Sequence, residues 1–233
     1  MKTKNNEMVN FYEHKDIQKL LPKYHNPYEA ESGIKFPARI GCIGSSSSGK
    51  TSWLLNYLAK ANDTFGFIHV VYKSTEPLYE FLEKKIGAKY IKFYKHISEL
   101  PLPNDIPHKD KQQLIIFDDQ VNEKNQDLIK EWFIRGRKVG VGVSLIYISQ
   151  DFHKIPVIIR RQFNYLILLK LSSNRDLNTV LRDFSYDKEV RNMYKEATRQ
   201  RFDFFKIDID NPDDNKKFSH NWTNYYTIEL TED

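Results

Sequence analysis

The chain has 233 residues, 40% of them hydrophobic, and carries a formal net charge of +5. That length suits one α/β domain with modest extensions, long enough to bury a substantial core, and the basic balance is a mild lean toward polyanions. The lone cysteine, Cys42, excludes an internal disulfide; the polar start (Met1 to Glu7) shows no signal peptide, and no apolar run approaches the ~18 residues of a membrane helix, so the expectation is a soluble intracellular protein with no membrane partner.

Residues 1–36 are polar, with Pro22, Pro27 and scattered tyrosines, and read as an extension that wraps over a core or is partly disordered. Pro37 opens a first buried strand, Ala38 to Ile43. It runs into Gly44-Ser45-Ser46-Ser47-Ser48-Gly49-Lys50-Thr51, which fits the phosphate-loop pattern G-x-x-x-x-G-K-[ST]. Two glycines let the backbone curl so that successive N–H groups point at one place, the N-terminus of the next helix, where unsatisfied donors and the macrodipole favour an anion. Ser52 to Leu58 has the apolar spacing of that helix, so strand, loop and helix follow in the order the pattern needs. Gly44 through Ser52 are the expected contacts to ATP; Lys50 reaches the β- and γ-phosphates, and the Thr51 hydroxyl is a Mg²⁺ ligand.

A second strand is expected at Gly66 to Tyr72, and a helix from Thr75-Glu76-Pro77 to about Lys85. Lys89 to Tyr94 alternates as a third strand; residues 95–112, with three prolines, form a loop with one helical turn at most. Gln113 to Phe117 contains a continuous apolar run, the mark of a central strand covered on both faces. It ends in two acids. Asp118 is the expected metal-side carboxylate, and Asp119 stands where a general base would activate water, with a side chain one methylene shorter than glutamate. Lys50 and Asp118 are 68 residues apart, room for two intervening strands and their helices. The carboxylate strand is therefore expected to lie away from the phosphate-loop strand with another strand between them, as in RecA-like ATPases. Helix at Asn125 to Ile134, strand at Val141 to Ile148 and strand at Phe163 to Leu171 complete a mostly parallel α/β core over 37–185. Gln150, just past the penultimate strand, can donate to a phosphate and accept from water, as a γ-phosphate sensor does. In 186–233, expected to pack on the core, Asp187 to Ala197 reads as helix and Phe202 to Ile209 as an edge strand; the acidic turn Asp208 to Asp214 lacks the glycine and spacing of a calcium loop.

Several motifs now align in order: the phosphate loop, Ile116-Phe117-Asp118-Asp119-Gln120, Phe133-Ile134-Arg135-Gly136-Arg137, Tyr147-Ile148-Ser149-Gln150, and Ile155-Pro156 followed by Ile159-Arg160. Together they resemble the poxvirus-type genome-packaging ATPases of the FtsK–HerA superfamily, found in large DNA viruses and virophages. Lys138 stands where the family often has histidine, and Gln162 where it often has asparagine. The resemblance implies a homo-oligomeric ring that pumps double-stranded DNA into a preformed capsid through a capsid or portal vertex protein, in the host cytoplasm or at the viral assembly site. It also implies an arginine supplied to a neighbour's γ-phosphate, with Arg160 the first candidate, Arg137 the second, and Arg135 and Arg161 behind them. Sequence-independent DNA contact falls to phosphate-binding cations, with Lys138, Lys154 and Arg199-Gln200-Arg201 as candidates. A HerA-like helicase shares these motor residues. A small-molecule kinase shares only the phosphate loop, and a GTPase is disfavoured because Asn215-Lys216-Lys217-Phe218 breaks the guanine motif.

Overall fold

A computed structural model describes residues 10–74 and 77–227. Among them, strands β1 (Arg39–Ile43), β2 (Phe67–Val71), β3 (Ile91–Tyr94), β4 (Gln113–Asp118), β5 (Val143–Ser149), β6 (Tyr165–Leu168), β7 (Phe205–Asp208), β8 (Phe218–His220) and β9 (Asn224–Tyr225) join one sheet in the order β3-β2-β4-β5-β1-β6-β7-β8-β9. The first six strands are parallel; β7 to β9 continue the sheet antiparallel. Two short helices, α1 (Lys15–Leu20) and α2 (Glu29–Ser32), precede β1.

Each central strand sends alternate side chains to two helical layers, as the two-residue period requires. From β4, Leu114 and Ile116 meet the layer formed by α3 (Lys50–Lys60) and α4 (Pro77–Ile86), while Ile115 and Phe117 meet the opposite layer. That opposite layer holds α5 (Asp127–Arg135), α6 (Val157–Arg160), α7 (Asn174–Asp183) and α8 (Lys188–Ala197). The helices exist because their apolar residues recur at helical spacing: Trp53, Leu54 and Tyr57 on α3, Ile129, Trp132 and Phe133 on α5, Val190, Tyr194 and Ala197 on α8 are all buried. The Asp187 carboxylate caps α8 by accepting from the N–H groups of Glu189 and Val190.

The expected elements are present with ends shifted by one to three residues. The start signal of α4 at Thr75 and Glu76 lies outside the described residues. Two differences stand out. Helix α7 was not expected, because its three buried apolar residues, Leu177, Val180 and Leu181, sit in an otherwise polar stretch. The strand after α8 is not an edge: β7 pairs with β6 on one side and β8 on the other, and the short β8 and β9 carry too few residues to register as a pattern. The described part of the N-terminal segment lies on the core: His25 N–H donates to Gln112 Oε1 at 2.6 Å, Lys35 N–H to Tyr165 Oη at 3.1 Å, and the Tyr24 ring packs on Phe36.

Candidate active site

The site lies at the carboxyl ends of β1, β4 and β5. Beyond β1 the backbone turns at once and is held on both sides: Gly44 N–H donates to Ser149 O at the end of β5 at 3.1 Å, and Ser45 N–H to Lys170 O beyond β6 at 2.9 Å. Both glycines are sterically required. A Cβ on Gly44 would lie 2.4 Å from Ser48 Oγ and 2.9 Å from Leu169 Cβ; Gly49 has φ +108°, and its Cβ would lie 2.6 Å from the Phe202 ring. Helix α3 begins at Lys50, so the loop's amides and the positive end of the helix serve one cleft. The Lys50 ammonium donates to the carbonyl oxygens of Gly44 at 2.8 Å and Ser45 at 2.9 Å, which folds it back along the loop.

Strand β5 separates the loop strand from the carboxylate strand, pairing with β1 through Arg39 to Ile43 and with β4 through Gln113 to Asp118. Asp118, half-buried, accepts a 2.5 Å hydrogen bond from the Tyr79 hydroxyl of α4, and Gln120 Nε2 donates to its carbonyl at 2.7 Å. Asp119 donates its N–H to Ile148 O at 3.1 Å and takes a left-handed backbone, φ 52° and ψ 42°, a conformation aspartate visits more readily than most residues. Gln150 follows β5 and is exposed.

These groups line a cleft of about 460 Å³. It brings together Ser46, Ser47, Gly49, Lys50, Thr51, Ser52, Asp118, Asp119 and Gln150. Gly44, Ser45 and Ser48 form the back of the loop. Besides Ile148 and Ser149 at the end of β5, the lining includes four residues that the sequence did not mark as nucleotide contacts: Ser74, Leu78, Arg201 and Phe202. Tyr79 was missed as well. No short pattern marks any of them, because each reaches the site only through tertiary packing.

The two leading arginine candidates, Arg160 and Arg137, do not line this cleft. Arg160 is 6% exposed; its Nη1 lies 3.1 Å from Asp183 Oδ2 and its guanidinium sits 5.1 Å over the Phe152 ring. Burial lowers its pKa, and Asp183 pulls the other way. Arg137 is exposed in the turn after α5. Burial, and then the Arg137 charge, depress the pKa of Arg39 at the start of β1, so Arg137 lies toward the end of that strand away from the phosphate loop. Of the cations expected on DNA, Lys138 is exposed, Lys154 pairs with Asp151 at 2.7 Å, and Arg201 lines the cleft.

A glycine-pinned phosphate loop, a carboxylate pair two strands away and a polar residue ending the strand between them define a P-loop ATPase of the additional-strand class. Residues 25–199 match the family described as Poxvirus A32 protein, and the chain belongs to that family, the poxvirus-type packaging ATPases. No curated protein is a significant match. Among solved structures, the fold is similar to the genome packaging NTPase B204 from Sulfolobus turreted icosahedral virus 2 in complex with ATP-gammaS. That likeness has 15% identity over 81% of this chain and 98% of that one, with a TM-score of 0.56. B204 described as the DNA-packaging ATPase from Sulfolobus Turreted Icosahedral Virus gives 0.55 at the same identity and coverage. EssC (ATPases 2 and 3) from Geobacillus thermodenitrificans gives 0.51, at 13% identity over 85% of this chain and 41% of that one. Among the described residues no helix is long and apolar enough to cross a membrane.

Proposed function

We propose that this ATPase is the motor that drives double-stranded viral DNA into a preformed capsid, acting as a ring of identical subunits at a capsid or portal vertex of the viral assembly site. The observation that carries the reading is the convergence of Lys50, Thr51, Asp118, Asp119 and Gln150 on one cleft, in a chain of the packaging family. The intervening strand β5 favours a motor over a small-molecule kinase. A HerA-like translocase would use the same cleft for another task.

Residues Gly44 to Ser52 cradle the triphosphate. Lys50 exchanges the Gly44 and Ser45 carbonyls for phosphate oxygens. Thr51 and Asp118 offer the hard oxygen donors that suit Mg²⁺, and the Tyr79 hydroxyl fixes the carboxylate that would hold it. When bound, the ion would neutralise part of the triphosphate's charge. Asp119 accepts the proton of the attacking water, its left-handed backbone setting where the shorter side chain points, and Gln150 bridges that water and the γ-phosphate. An arginine acting on a neighbour must project from its own subunit. Arg137 does so, whereas Arg160 is held inside by Asp183 and Phe152. DNA contact falls to exposed cations such as Lys138, and binding should weaken steeply with salt.

Steady-state ATP turnover and particle mass, measured with and without duplex DNA, test the reading. The expected result is turnover raised by DNA of any sequence, a multimer, and no turnover in Lys50→Ala. Turnover indifferent to DNA across a range of salt would remove the motor; turnover retained in Lys50→Ala would remove the site.

A further inference from the structure

Phe202 is an aromatic residue in a conformation aromatic residues avoid. Its φ is +73°, in the left-handed region, and its side chain is 52% exposed. Strain of this kind costs roughly 1–3 kcal/mol and survives where the surroundings impose it, most often at ligand sites. Here the surroundings are visible. Immediately after Phe202 the chain is clamped: Asp203 accepts from Asn221 Nδ2 at 3.0 Å and lies 3.2 Å from His220 Nε2, and Phe204 N–H donates to Asn221 Oδ1 at 3.0 Å. The ring is thereby set against Gly49, close enough that a Cβ there would lie 2.6 Å from it. The Arg201 guanidinium stacks over the Phe202 ring at 4.7 Å, and both residues line the phosphate-loop cleft.

We propose that Arg201 and Phe202 form the platform on which the nucleobase of the bound triphosphate stacks. This rests on reading the cleft as an ATP site. The phosphate loop fixes the triphosphate, and the base needs a flat, polarisable surface beside it. A guanidinium layered on an aromatic ring supplies such a surface. The platform reads the face of the base, which adenine and guanine share, rather than its hydrogen-bonding edge. It therefore favours purines over pyrimidines and separates ATP from GTP little. Arg201, first expected on DNA, works on the nucleotide.

The test is equilibrium binding of ATP, GTP, CTP and inorganic tripolyphosphate to the full chain and to Phe202→Gly, Phe202→Tyr, Arg201→Ala and Lys50→Ala. Glycine suits the positive φ, so Phe202→Gly should keep or raise the Tm while removing the ring. In Phe202→Gly, affinity for ATP and GTP is expected to fall about tenfold and tripolyphosphate affinity to stay unchanged. Phe202→Tyr restores binding, and Arg201→Ala weakens ATP and GTP by several-fold and spares tripolyphosphate. Unchanged ATP affinity in Phe202→Gly overturns the proposal. So does an equal loss for tripolyphosphate, which would make the ring a brace for the loop, or in Arg201→Ala would make that residue a phosphate contact. If the native chain binds no ATP, or Lys50→Ala binds it undiminished, the ATP site itself is refuted and the platform with it.

Discussion

At the scale of single residues, the chemistry depends on side chains held by neighbours that no motif contains. Asp118 is one of the two acids that the end of the apolar run announced; the Tyr79 hydroxyl that orients it arrives from α4. Outer partners of metal-holding carboxylates commonly set affinity by tenfold or more. Tyr79→Phe keeps the ring in its buried place and removes only the hydrogen bond. The Mg²⁺ concentration for half-maximal ATP turnover is expected to rise about tenfold, with the Tm nearly unchanged. A magnesium titration of native and variant protein checks this. The phosphate loop, the acids and Gln150 were readable because each is a local pattern at a strand end. Tyr79, Arg201 and Phe202 were unreadable because only the packing of α4 and of the segment before β7 brings them to the site. Arg160 shows the converse. The family resemblance implies Arg160 for a neighbour's phosphate, and the folded chain sets it beside Asp183.

Among the elements, β2, one strand in from the sheet edge, carries a buried polar group. Its His69 is fully buried between Tyr94 Oη at 2.9 Å and Gln113 Oε1 at 2.9 Å. Burial is the main cause that draws its pKa down to about 4 from 6.5; the Gln113 hydrogen bond opposes it. The unfolded chain therefore binds a proton between those values when the folded chain does not. Stability is full above pH 6.5 and falls as the pH drops toward 4, a loss on the order of 3 kcal/mol. His69→Gln should flatten this acid limb while lowering stability at neutral pH, as read from urea midpoints at several pH values. The strands were legible where they were central, since β4 and β5 are apolar on both faces. The elements that escaped, α7, β8 and β9, are polar or very short, and their burial comes from what they pack against rather than from their own pattern.

For the whole molecule, one buried cation joins pieces far apart in the chain. Lys206 on β7 is fully buried and donates to Ser32 O at 3.2 Å, Gly33 O at 3.3 Å and Trp222 O. Burial lowers its pKa to about 8, so the ammonium is still charged at neutral pH. It ties the N-terminal segment to the strand and to the turn between β8 and β9. Lys206→Met keeps most of the apolar stem and orphans three carbonyls, each worth about 1–3 kcal/mol when left buried. The variant is expected to lose several degrees of Tm and to be cleaved first within residues 10–33, which limited proteolysis with mass mapping would show.

Strand β5 has two hydrogen-bonded flanks, one on the phosphate-loop strand and one on the carboxylate strand, and Gln150 follows directly from its end. The two walls of the pocket are thus splined to a common rail and cannot slide past each other without tearing that rail out of both ladders. In the motor proposed above, work drawn from the γ-phosphate would leave through the segments beyond the strand ends or as a movement of the slab as one piece, because β5 ties both walls together.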